Sequence, residues 1–171
     1  DTLPANEVHV PDRIVTFLLG HDILDKTIAP YCTLSRPRMA DLPDIVMAQK
    51  SRDEILALIR GWEARGGKGT ILPGGGPGVV LGMFGPPGCG KTLLASRISA
   101  EFGRPLITAD SAKITADDSV FRDSLETIFF DAKVRGAVLA FDRCESLFSQ
   151  KNPRIPGVYA QLEKHPGIVL L

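Results

Sequence analysis

From residue 79 onward the apolar positions alternate between short continuous runs and stretches spaced three and four apart. The run Val79-Val-Leu-Gly-Met-Phe predicts a strand over 79–84 buried on both faces, and the spacing that follows predicts a helix over 91–102 closed by Gly103. Residues 105–109 give a second strand. Over 117–135, Val120, Phe121, Leu125, Ile128, Phe129 and Ala132 share one helical face, and Gly136 stops it. A third strand is expected over 137–141, then a helical turn at 145–148, a polar loop through Pro153 and a helix over 157–165. The chain ends inside a fourth strand, 168–171. Strands alternating with helices predict an α/β domain: a parallel sheet with helices on both faces.

The first half of the chain is less regular. Asp12 and Gly20 bracket a short predicted helix over 12–20, and residues 21–39 lack a sustained period, so they read as irregular chain. A helix is expected to open at Ser51, where Ser51 and Glu54 form a capping box, and to stop near Arg65 with Ile55, Leu58, Ile59 and Trp62 on one face. Trp62 reads as core. Residues 66–78 hold seven glycines and two prolines, which reads as a flexible surface connection. The chain therefore divides into a helical and irregular N-terminal segment, 1–40, and a core, 41–171.

Composition narrows the setting. Twenty basic and twenty acidic residues cancel, so no whole-chain field points to nucleic acid or a membrane surface as partner. Cys32, Cys89 and Cys144 are odd in number and outside metal-binding spacings, which favours a reducing, cytoplasmic location. His9, His21 and His165 are dispersed and suggest no zinc site. No secretory leader opens the chain, no apolar stretch reaches the roughly 18 residues of a membrane span, and Asp1 in place of Met suggests a trimmed or partial chain.

The chemistry concentrates at Gly85-Pro86-Pro87-Gly88-Cys89-Gly90-Lys91-Thr92, between a predicted strand and a predicted helix. A polyphosphate needs many donors in a small space, and a glycine-rich turn can aim successive backbone N–H groups inward. Lys91 then places a positive charge on the β- and γ-phosphates, Thr92 offers a hydroxyl to Mg²⁺, and the following helix, through Leu93, directs its positive end at the anion. Cys89 reads as a small residue tolerated in the loop. Asp142 follows the apolar run Ala-Val-Leu-Ala-Phe, where a carboxylate can hold the water shell of the metal. These residues predict binding of ATP with Mg²⁺.

The loop and strand end resemble those of the AAA+ ATPases, a P-loop NTPase family, over about residues 41–171. The resemblance implies Walker A and Walker B motifs at 85–92 and 142–145, and catalytic roles for Lys91 and Asp142. It implies base contacts at Ile45 and Val46, and ATP hydrolysis coupled to remodelling of a protein partner within a homo-oligomeric ring. It also implies a sheet order of 5-1-4-3-2, so that a chain stopping at the fourth strand leaves the phosphate-loop strand at an edge. The family's sensor residue, arginine finger and lid are expected beyond Leu171. Two departures stand out. Arg143 occupies the place of the glutamate that polarises the attacking water, and a guanidinium cannot take up a proton. Glu145 is the nearest substitute carboxylate, expected to face away and bond locally. The segment 110–116 lacks the pore-loop aromatic of threading members and reads as a surface loop, with Lys113 and Ile114 its only candidate channel residues. A non-hydrolysing ATP-binding scaffold is the alternative that Arg143 supports, and a small-molecule kinase is a further one.

Overall fold

The computed structural model describes residues 23–67, 77–116, 120–148 and 152–171, and the predicted helix over 12–20 lies outside them. Five strands form one sheet: β1 (Cys32–Ser35), β2 (Val79–Leu81), β3 (Leu106–Asp110), β4 (Val138–Asp142) and β5 (Ile168–Leu170). Their spatial order is β1-β3-β4-β5-β2. β2 to β5 run parallel, and β1 lies antiparallel on β3.

The continuous apolar runs are explained by burial on both faces. Along β4, Val138 and Ala140 enter one apolar cluster while Leu139 and Phe141 enter the other, and β5 divides Ile168 and Leu170 from Val169 in the same way. Helices α1 (Gln49–Ala64) and α2 (Lys91–Glu101) cover the first face through Ile59, Trp62, Ala95 and Ile98. On the opposite face lie α3 (Ser111–Thr115), α4 (Phe121–Arg135) and α5 (Ile155–Lys164), with Ile114, Leu125, Ile128, Val158 and Leu162 in the second cluster. The mostly parallel α/β sandwich expected from the pattern is therefore present.

Several local expectations give way to tertiary context. Residues 32–35 form a strand where irregular chain was predicted: Cys32 is buried and Leu34 packs against the same cluster, but a four-residue alternation is too short to stand out. Helix α1 starts at Gln49, so Ser51 lies inside its first turn, and the cap residue Ala48 makes no side-chain hydrogen bond. The box is not used; Glu54 instead stands 4.0 Å from Lys50. Within 110–116, Ser111–Thr115 form a helix rather than a loop, with Asp110 Oδ1 accepting a hydrogen bond from the Lys113 amide at 3.2 Å. Ile114 is fully buried, which removes it as a channel residue.

After α2 and α4 the stopping glycines behave as expected, Gly103 and Gly136 both taking φ of 60° in the left-handed region. Trp62 is core as read, with its Nε1 donating to Pro77 O at 2.8 Å. Among the described residues β2 pairs only with β5, so the strand leading into the glycine loop is an edge, and its Val80 is exposed.

Candidate functional site

The carboxyl ends of β2 and β4 open onto one side of the sheet, where parallel α/β folds place their ligands. From β2 the chain passes through the glycine loop into α2. Gly88 and Gly90 take φ of 81° and 95°, and a Cβ at either would enter open space. At Gly85 a Cβ would meet Cys89 Sγ at 2.6 Å, so the loop closes tightly on itself there. Lys91 Nζ curls back to donate to Gly85 O at 2.8 Å and Pro86 O at 3.2 Å, and lies 3.8 Å from Cys89 Sγ. The first α2 bond to a preceding carbonyl is Leu94 N to Gly90 O, at 2.8 Å. Earlier amides of the helix point toward the loop mouth, as every helix N-terminus requires.

Two cavities meet at Lys91. One, of about 530 Å³, is lined by Gly85, Lys91, Thr92, Asp142, Arg143 and Glu145 together with apolar side chains. The other, of about 450 Å³, is lined by Pro87, Gly88, Gly90, Lys91, Thr92, Leu93, Asp142, Arg143 and Glu145. Five polar side chains thus line both: an ammonium, a hydroxyl, a guanidinium and two carboxylates. The volumes are those of ordinary small-molecule sites.

The end of β4 departs from a simple carboxylate tip. Asp142 is exposed and stands in register with Asp110 on β3. Arg143 takes φ 55° and ψ 42°, an uncommon conformation for a residue with a side chain. Its amide donates to Asp142 Oδ1 at 3.0 Å, and its guanidinium pairs with Asp110 Oδ2. Glu145 does not turn away as expected, because the short 3₁₀ turn Cys144–Ser146 carries it back over the cleft, where it lines both cavities. Cys144 beside it is half-buried, and burial first, then the Glu145 charge, push its thiol above the ordinary value.

The sequence-predicted residues are thus partly gathered. Gly85, Pro87, Gly88, Gly90, Lys91, Thr92, Leu93, Asp142 and Glu145 share the cleft walls, whereas Pro86 and Cys89 line neither cavity. Ile45 lies elsewhere, in a crevice with Leu94, Arg97 and Ile55 on the flank of α2, and Val46 is fully exposed. Sequence reading missed Asp110 as the partner of Arg143, a pairing that only the strand register creates. It also missed Arg97, whose partners lie on a segment more than fifty positions earlier.

The residues fit a bound magnesium nucleotide. Open space over Gly88 and Gly90 leaves room for phosphate against backbone amides, and an ammonium, a hydroxyl and a carboxylate adjoin it. A hard cation of this kind takes few protein ligands and keeps several waters.

A strand, glycine-rich loop and helix with a carboxylate at the tip of another parallel strand define the P-loop nucleotide-binding class. Residues 81–165 match the family model described as ATPase family associated with various cellular activities (AAA). HslU, the ATPase subunit of an ATP-dependent protease, is 32% identical in Methylorubrum populi over 90 residues, which are 52% of this chain and 20% of HslU. HslU of Methylorubrum extorquens matches to the same extent. The AAA domain of FIGL-1 superposes with a TM-score of 0.59 at 19% identity, covering 99% of this chain and 56% of that one. A katanin structure solved to explain self-assembly gives 0.56 at 18% identity, covering 84% and 49%. The chain thus spans about half the length of these solved chains, and its matched stretch a fifth of HslU. The family match, the HslU stretch and the shared fold together support an AAA+ P-loop ATPase core. Among the described residues no helix is long and apolar enough to cross a membrane.

Proposed function

We propose that this core binds ATP with Mg²⁺ in the cleft between the glycine loop and the end of β4, and that it hydrolyses ATP slowly. The observation that carries the reading is the shared lining of both cavities by Lys91, Thr92, Asp142 and Glu145. Lys91 leaves the carbonyls of Gly85 and Pro86 for the β- and γ-phosphate oxygens, and the amides around Gly88 and Gly90 donate to the same phosphates. Thr92 ligates the metal through its hydroxyl, and Asp142 holds its water shell. The metal, when bound, neutralises charge on the phosphates. Ile45 and Val46, which line neither cavity, are proposed to contact the adenine where it extends beyond those cavities along α2.

Slow turnover follows from Arg143. It cannot accept a proton from the attacking water, and its guanidinium is paired with Asp110 at the cleft edge. Glu145 is the carboxylate left to orient that water. The Arg143–Asp110 pair also favours a second reading, an ATP-binding scaffold that does not hydrolyse. ATP affinity and turnover, measured together, separate the two: slow release of phosphate abolished by Glu145→Gln marks an enzyme, and binding without release marks a scaffold. Replacing Arg143 by Glu together with Asp110→Asn, which avoids facing like charges, should raise turnover about 100-fold, the lower range for a positioned general base. Rapid turnover that survives Glu145→Gln and is lost with Arg143→Ala would overturn the assignment. Lys91→Ala should abolish measurable ATP binding.

Coupling to remodelling of a protein partner, within a homo-oligomeric ring, is the wider proposal. It is supported by the katanin structure's concern with self-assembly and by HslU's place in a protease. A cytoplasmic setting accords with Cys32, Cys89 and Cys144 all standing as free thiols.

A further inference from the structure

The segment before α1 is bound to the phosphate-loop helix by one side chain. Arg97 lies on α2, the helix that opens with Lys91 and Thr92. Its Nε donates to Pro43 O at 3.0 Å, and a terminal nitrogen reaches both that carbonyl and Asp44 Oδ1, the latter at 2.9 Å. The Arg97 side chain is only 11% exposed although Asp44 is fully exposed, so the guanidinium sits under the segment rather than beside it. Ile45, next in the chain, joins Leu94 and Arg97 in the wall of one small crevice. Among the described residues the backbone amides of residues 44–47, which lie outside helix and strand, make no hydrogen bond, which leaves this stretch free to offer donors and acceptors to a planar ring.

We infer that Arg97 is a positioning residue: it fixes the Pro43–Val46 segment to the phosphate-loop helix, so that the base-binding stretch and the phosphate loop stand at a set distance. This rests on the proposal that Ile45 and Val46 contact the base. A forked guanidinium suits the task because it holds a carbonyl and a carboxylate together, which an ammonium cannot do with the same rigidity. The clamp acts on the base end of a nucleotide only. The phosphate end is held by the loop itself, whether or not the segment is in place.

The test compares two ligands on the purified full-length protein by calorimetry: Mg-ATP and Mg-tripolyphosphate, which has the phosphates without the base. Arg97→Ala should weaken ATP about tenfold and tripolyphosphate less than about twofold, and Arg97→Lys should recover part of the ATP loss. A purely structural role would weaken both ligands together, and that result overturns the inference, as does unchanged ATP affinity. Should Arg97→Ala not fold, Arg97→Lys is read alone, with a smaller loss confined to ATP expected. Ile45→Asp tells two failures apart. If it leaves the ratio of the two affinities unchanged, the base-contact reading is what falls; if it lowers the ratio and Arg97→Ala does not, the clamp alone falls.

Discussion

At the carboxyl ends of the strands Gly88 and Gly90 have positive φ and open space where a side chain would go. At the amino ends Gly78, just before β2, would place a Cβ 2.4 Å from both the Gly167 and His165 carbonyl oxygens, and Gly167 would place one 2.5 Å from His165 Nε2. Gly88 and Gly90 leave room at one end of the sheet; Gly78 and Gly167 remove it at the other. The first pattern suits a ligand site and the second a packed seam between β2 and β5. Stability and binding should therefore respond to glycine substitution at opposite ends of the same sheet.

The sharpest break of this contrast is Gly78→Ala. The two nearest neighbours of that Cβ are backbone oxygens that cannot rotate away, so β2 must separate from β5, its only partner among the described residues. A loss of about 4 kcal/mol is expected, beyond ordinary overpacking. Urea unfolding measures it as a lowered midpoint with little change in slope. A loss under about 1 kcal/mol would show that the seam is loose and the contrast false.

How much of this was legible in the chain depends on how local each feature is. The βα alternation, the loop at 85–92 and Asp142 rest on contiguous residues, so pattern alone located them. Both faces of β4 could be inferred as buried because its apolar run does not alternate. The strand at Cys32–Ser35 was not legible, since its four residues become a strand only by pairing with β3. The Ser51 capping box failed because the helix gained one more half-turn upstream, at Gln49. Glu145 was expected to face away, and the 3₁₀ turn that brings it back follows from Arg143 in the left-handed region, which no periodicity announces. Arg97 and Asp110 were invisible for the same reason: their meaning lies in partners distant in sequence.

Acid sharpens the comparison at the packed end. His165 is 3% exposed, its ring meets Phe129 edge-on at 5.3 Å, and its Nε2 has no partner among the described residues. Burial, and then the Lys133 charge, lower it from 6.5 to about 4. Glu126 and Lys164 line the adjoining groove. Between those values the unfolded chain takes up a proton that the folded chain refuses, so this contribution is complete above about pH 6.5 and fades as pH falls to about 4. The most it can cost is roughly 3 kcal/mol. Asp131 opposes it, because burial raises its carboxyl and favours the folded state in acid. The difference between the parent chain and His165→Phe isolates the histidine. Unfolding free energies at pH 7 and pH 4.5 should diverge more in the parent, and equal slopes would remove His165 from the seam's energetics.

The smallest effect on stability belongs to Gly88→Ala, and it is the converse test. With no atom within 4 Å of the added carbon, the cost is only that of holding an L-residue at φ 81°, about 1 kcal/mol. The methyl group nevertheless enters the groove where the phosphates are proposed to lie, so ATP affinity should fall about tenfold while the urea midpoint moves little. Gly78→Ala, assayed in the fraction that remains folded, should bind ATP as the parent does. Were both substitutions to lower stability and affinity in the same proportion, the two ends of the sheet would be one cooperative unit rather than a site at one end and a seam at the other.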